Sequence, residues 1–203
     1  MSVLKDIFHN KSVLYTCKDA QTNDRHHDVK VVVNNAVTTC SFDVAVSGFF
    51  NMKHGIISKH CVVISAIPYE YRKGHGRILI EEGQSFFPNS LLFVPHAQDY
   101  SMWCSGLHYD KKHVDGQWIT SGLSGLLQIL FYGKPKQVFV EGMYFYERGR
   151  TNYDKKHHDM SWEKTVVKTL LDKERIVVDT IMKDMLMTHV MPVNRGVLDA
   201  IKH

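Results

Sequence analysis

Thr120, Ser121 and Gly122 stand together just ahead of an apolar run, in the stretch ITSGLSGLLQILFYG (119–133). At a helix start the first backbone N–H groups lack an intrahelical partner, and the dipole leaves about half a positive charge there. Two hydroxyls, free N–H groups and a glycine that lets a ligand approach the backbone suit a phosphate or another polar anion. The same residues also suit a purely structural role, with Thr120 or Ser121 as the N-cap.

A second set of reactive side chains follows in GMYFYERGRTNYDKKHHDMSWE (142–163): Tyr144, Tyr146, Tyr153, His157, His158 and Glu163. Phenols can donate hydrogen bonds to a departing phosphate oxygen, and an imidazole with an ordinary pKa of about 6.5 can take a proton at neutral pH. Four of the thirteen histidines occur as adjacent pairs, His26/His27 and His157/His158, and there is no C-x-x-C. Zinc-type spacing is therefore absent, and we expect no metal site and no cofactor.

The elements that must hold these residues can be read from the hydrophobic pattern. Apolar runs of four to seven residues, rich in Val and Ile, recur at 12–15, 28–33, 42–46, 61–67, 77–80, 90–95, 137–141 and 175–179. Most do not alternate with polar residues, which predicts strands covered on both faces, as in a parallel sheet between helices. Leu123, Leu126, Leu127 and Leu130 form a helical stripe with Gly133 as its stop signal, and Val166, Val167, Leu170 and Leu171 form another in a helix starting near Ser161. The order strand, helix, strand from Val138 to Val178 is an α/β unit. In such sheets ligands lie beyond the carboxyl ends of the strands, where both reactive stretches fall.

Composition sets the outer bounds. The 203 residues predict one domain spanning 1–203, and 44% hydrophobic with 23% charged residues is ordinary globular composition, which excludes a disordered chain. A net charge of +4 and a pI near 8.8 fit an anionic ligand or partner, or simply a lysine-rich surface. Cys17, Cys40, Cys61 and Cys104 are scattered, as expected of reduced thiols, and no apolar run is long enough for a signal peptide or a membrane span. The expectation is a cytoplasmic protein. Residues 180–203 carry Met and Leu positions that suit core packing, a subunit contact or a membrane-surface foot.

The pattern W-I-T-S-G, then VFVEGMYFY, then Tyr153 and His158 with Glu163 five positions on, resembles the small bacterial sialyltransferases that cap lipooligosaccharides. The similarity is good over 117–165, with one residue inserted between Tyr146 and Tyr153. The His158 to Glu163 spacing also resembles a weaker pattern of animal sialyltransferases. The resemblance implies a single Rossmann-like nucleotide-binding domain and a metal-independent, inverting transfer of sugar from a CMP-linked donor to a hydroxyl acceptor. By the same resemblance His158 is the general base and Tyr146 and Tyr153 stabilise the leaving phosphate. Thr120, Ser121 and Gly122 contact the nucleotide, together with Asn34 or its neighbour Asn35 in HHDVKVVVNNAV. No D-x-D occurs anywhere in the chain, in keeping with a metal-free mechanism.

Three departures from the family pattern matter. The family's G-N-G turn after the first strand is YTCKDAQ here, without glycine, so that part of the pocket must be built differently. Trp118 and Tyr144 replace an Arg and an Asp of the family, and both offer stacking surfaces. The partners expected are a nucleotide-sugar and a glycan or other hydroxyl acceptor. The alternatives are a nucleic-acid acceptor such as a hydroxymethylated base in viral DNA, suggested by the basic clusters KKHHD and YRKGHGR, and a non-catalytic nucleotide-binding module.

Overall fold

The computed structural model describes residues 3–18, 20, 25–48, 57, 59–66, 85, 87–94, 119–145, 158 and 160–189, with the side chains of 35 and 38 excepted. Seven strands are described: β1 (Ser12–Thr16), β2 (Val29–Val33), β3 (Val44–Ser47), β4 (Val62–Ser65), β5 (Leu91–Phe93), β6 (Gln137–Glu141) and β7 (Val177–Val178). They form one sheet in the order β5-β4-β3-β2-β1-β6-β7, and every pairing is parallel. The helices are α1 (Val3–Phe8), α2 (Ser121–Gln128), α3 (Met160–Asp172) and α4 (Thr180–Met187). This is a Rossmann-like α/β fold. The predicted strand at 77–80 lies outside the described residues.

Alternation along the strands sends side chains into two cores. Val13, Tyr15, Val31, Val33, Val44, Val46, Val138 and Val140 join Leu123, Leu126, Val166, Leu170, Met182 and Leu186 on the helix-covered face. Val32, Ala45 and Val63 point the other way, against Val37, Phe42 and Phe87. Burial on both faces is why the central strands read as unbroken Val runs. The edge strand β5 differs, and its Leu91 is exposed. In α4, Met182 and Leu186 are buried, so this part of the C-terminal region packs into the core.

Helix α2 passes into a π-helical turn, Ile129–Gly133. The helix ends at Gly133, as the sequence predicts, and the left-handed residue is the next one, Lys134 (φ 47°). Gly133 is also a point of close packing, because a Cβ there would stand 2.8 Å from Cβ of Phe8 in α1.

The chain lays down β2 to β5 on one side of β1 and then returns to place β6 on the other. The crevice outside the carboxyl ends of β1 and β6 is therefore the switch point at which doubly wound sheets hold ligands. No described helix is long and apolar enough to cross a membrane.

Candidate functional site

Asn34 follows β2 with a left-handed backbone (φ 48°), a conformation that Asn tolerates better than most residues. Its Oδ1 accepts the N–H of Gly48, 3.1 Å away, just beyond β3. A Cβ on Gly48 would stand 2.8 Å from Oγ of Ser121, so β3 ends directly against the start of α2. Asn34, Gly48 and Ser121 thus form one edge of the site. Asn35 lies in the same 3₁₀ turn, Asn34–Thr38, but its side chain is outside the described residues.

Thr120 is the N-cap of α2, and its Oγ1 accepts the Leu123 N–H at 3.2 Å. Its own N–H and hydroxyl donate to Oε1 and Oε2 of Glu163, both at 2.6 Å, and the pair is almost fully buried (8% and 1% exposed). Glu163 stands in the first turn of α3. Its carboxylate therefore clamps the starts of two helices together and brings negative charge to the positive end of α2. Thr120 is spent inside the protein. The next two positions, Ser121 and Gly122, are only partly buried, and as the first residues of the helix their N–H groups have no partner within it.

From beneath, the Tyr15 hydroxyl donates to the carbonyl of Gly122 at 2.7 Å. Burial, and then the charge on Cys17, push the Tyr15 phenol well above its ordinary pKa, which keeps it a donor. A Cβ on Gly122 would lie 3.2 Å from Met143 Cε and 3.7 Å from Cys17 Sγ. The loops after β1 and β6 thus meet the start of α2.

The missing glycine after β1 is offset on the neighbouring strand. Gly142 takes φ 74°, and a Cβ there would stand 2.7 Å from Cα of Ala20. The β6 glycine, not a β1 glycine, lets these two loops close on each other. Asp179 secures the turn: Oδ2 accepts the Gly142 N–H at 2.9 Å, and Oδ1 caps α4 through the Met182 N–H at 2.8 Å.

The residue before this glycine was not singled out by the sequence. Glu141 is 4% exposed, and its Oε1 accepts the Thr16 hydroxyl at 2.9 Å across the β1–β6 pair. Its Oε2 is buried without a hydrogen-bond partner among the described residues. Burial raises its pKa, with Asp179 adding to the rise and Thr16, Lys30 and Arg25 opposing it. The only available signal was an acid closing an otherwise apolar strand.

His158 is partly buried and lies two residues before α3, the helix that carries Glu163. Tyr146, Tyr153, His157 and Trp118 lie outside the described residues. Tyr144, expected to offer a stacking surface, is buried in the main core instead. The structure therefore brings together Asn34, Thr120, Ser121, Gly122 and Glu163 at the carboxyl edge of the sheet.

Fold and site together define a Rossmann-like α/β protein with its polar groups gathered at the carboxyl ends of the strands. No protein-family model matches the chain, and no curated protein sequence matches it. Among solved structures it is similar to the sialyltransferase CstII from Campylobacter jejuni, determined in complex with the substrate analogue CMP-3FNeuAc. The TM-score is 0.50 at 13% identity, over 91% of this chain and 86% of that one. At this identity the likeness is one of fold.

Proposed function

We propose that the protein is a sialyltransferase-like glycosyltransferase that moves sialic acid or a related sugar from a CMP-linked donor to a hydroxyl acceptor. The observation that carries this reading is the start of α2: the Ser121 and Gly122 N–H groups have no helical partner and stand beside Asn34 and Gly48 at the carboxyl edge. The fold shared with an enzyme determined with a CMP-sugar analogue supports it.

In this reading Ser121 and Gly122 receive the donor phosphate, and Thr120 holds the helix start in place through Glu163. Asn34 or Asn35 contacts the nucleotide. His158 takes the proton from the acceptor hydroxyl as that oxygen attacks the anomeric carbon from the face opposite the phosphate, so the configuration inverts. Tyr146 and Tyr153 donate to the phosphate oxygen as the glycosidic bond breaks. Each such donor is worth on the order of 3 kcal/mol to the transition state. No step requires a metal ion.

Incubation with CMP-sialic acid tests the proposal. CMP should be released by the wild-type protein, and the release should disappear in His158→Ala. Absence of turnover with every CMP-sugar would remove the reading.

A further inference from the structure

Among the described residues, three acids stand in buried or partly buried positions at the carboxyl edge of the sheet, and they differ in what their oxygens do. Glu163 spends both oxygens on Thr120, and Asp179 spends both on Gly142 and Met182. Glu141 spends one on Thr16 and leaves the other buried and unpartnered among the described residues. A buried polar atom is ordinarily hydrogen-bonded, so a specific exception asks for a missing partner. This exception stands at the last residue of β6 beside the last residue of β1, the two strands that flank the switch point.

We propose that Glu141 is a ribose-binding residue of this site: its carboxyl group, held by the Thr16 hydroxyl, accepts a hydrogen bond from the vicinal hydroxyls of the bound nucleoside. The inference rests on the nucleotide reading above and adds to it a residue that the sequence resemblance does not supply. A carboxylate oxygen accepts, so the missing partner must be a donor, and the vicinal hydroxyls are the donors that a ribose offers. Hydrogen bonds of hydroxyls to carboxylates are short and strong, and an acid at a strand's carboxyl end is a general device for ribose hydroxyls. The phosphate is left to the start of α2, which carries N–H donors. Charge is thereby sorted along the edge, with the anion at α2 and the neutral diol at Glu141.

The neighbours of Glu141 fix its position without using its second oxygen. The Cys17 N–H donates to the Glu141 carbonyl at 2.9 Å, which keeps β1 and β6 in register to their ends. Gly142 packs directly against Ala20 where the two loops leave these strands. On the same face of β6, the Arg25 guanidinium lies 5.3 Å from the centre of the Phe139 ring.

The test is a comparison of ligands by calorimetry on the full chain: CMP against 2′-deoxy-CMP and 3′-deoxy-CMP, for the wild type, Glu141→Gln and Thr16→Val. The wild type should bind CMP roughly 10- to 100-fold more tightly than at least one deoxy analogue, the range expected for a hydrogen bond to a charged group. The analogue that loses affinity identifies the hydroxyl that is read. Glu141→Gln should shrink the ratio to about threefold or less and leave the affinity for that deoxy analogue nearly unchanged, a pattern that general loosening of the fold would not produce. Equal affinity of the wild type for all three ligands, or an undiminished ratio in Glu141→Gln, would overturn the inference while leaving nucleotide binding intact. If no nucleotide binds at all, the functional reading falls and takes the inference with it. Should Glu141→Gln not fold, Thr16→Val decides: a reduced ratio supports the assignment, and an unchanged one overturns it.

Discussion

At the scale of single residues, the start of α2 depends on a carboxylate from another helix. Replacing Glu163 by Ala leaves the buried N–H and the hydroxyl hydrogen of Thr120 without the acceptors they have in Glu163, and each loss is of the costly, unsatisfied kind. We expect Glu163→Ala to lower stability by roughly 2–4 kcal/mol and Glu163→Gln, which keeps one acceptor, by about half as much. Urea denaturation with unchanged slope measures both, and a loss under about 0.5 kcal/mol for the Ala variant would contradict the clamp. Glu141 predicts a pH effect of definite sign. Its folded-state pKa lies above the ordinary 4.5, so the folded protein holds a proton that the unfolded chain has released. Its contribution to stability is full below about pH 4.5 and is lost as pH rises through the folded pKa. The urea midpoint of the wild type should therefore fall over that window relative to Glu141→Gln, and parallel profiles would refute the assignment. Of these residues the sequence showed Thr120, Ser121 and Gly122, because a helix start has a local signature. It named Glu163 among the reactive side chains downstream and for its spacing from His158, not for Thr120. The contact with Thr120 spans 43 positions and arises from the packing of two helices, which no local pattern encodes.

At the scale of elements, the Val-rich runs were legible as parallel strands because burial on both faces removes polar alternation. Their order was not, since strand order depends on crossovers and the region from 48 to 118 carries few regular signals. The stripe Leu123, Leu126, Leu127, Leu130 marked α2, yet the glycines within it hold information that periodicity misses. A Cβ at Gly125 would stand 2.5 Å from Val46 Cγ1 and 2.7 Å from the Tyr15 hydroxyl oxygen. Gly125→Ala gains about 1 kcal/mol of helix propensity but forces a rigid sheet and a bonded phenol apart, at about 1–3 kcal/mol or more. The strain should win, with a net loss of roughly 1–2 kcal/mol and a weakened Tyr15 to Gly122 hydrogen bond. Gly122→Ala meets only the flexible tip of Met143 at 3.2 Å, so its stability should stay within about 0.5 kcal/mol of wild type. The opposite ordering of these two variants in thermal melts would show that α2 does not rest on the sheet as described.

At the scale of the whole molecule, the fold supplies an edge at which a ligand can sit, and catalysis adds a separate requirement. The seven-stranded parallel order makes the ends of β1 and β6 the natural place for a ligand, and α2 and α3 deliver their first turns to the same edge. A protein of this fold can bind a nucleotide without turning it over, so binding and chemistry must be read separately. At a CMP concentration of 100 Kd, binding to the folded state alone adds about 2.7 kcal/mol. For a chain of this size that raises the melting temperature by roughly 5 to 10 °C. If His158 acts on the acceptor hydroxyl and not on the nucleotide, His158→Ala should show the same CMP-induced rise as the wild type while CMP release from CMP-sialic acid falls by at least about 100-fold. A variant that loses both the thermal shift and the turnover would make His158 a binding residue. A wild type that shows the shift without turnover would make the protein a nucleotide-binding module, because the edge of the sheet would then be occupied but the chemistry of the downstream loop unused.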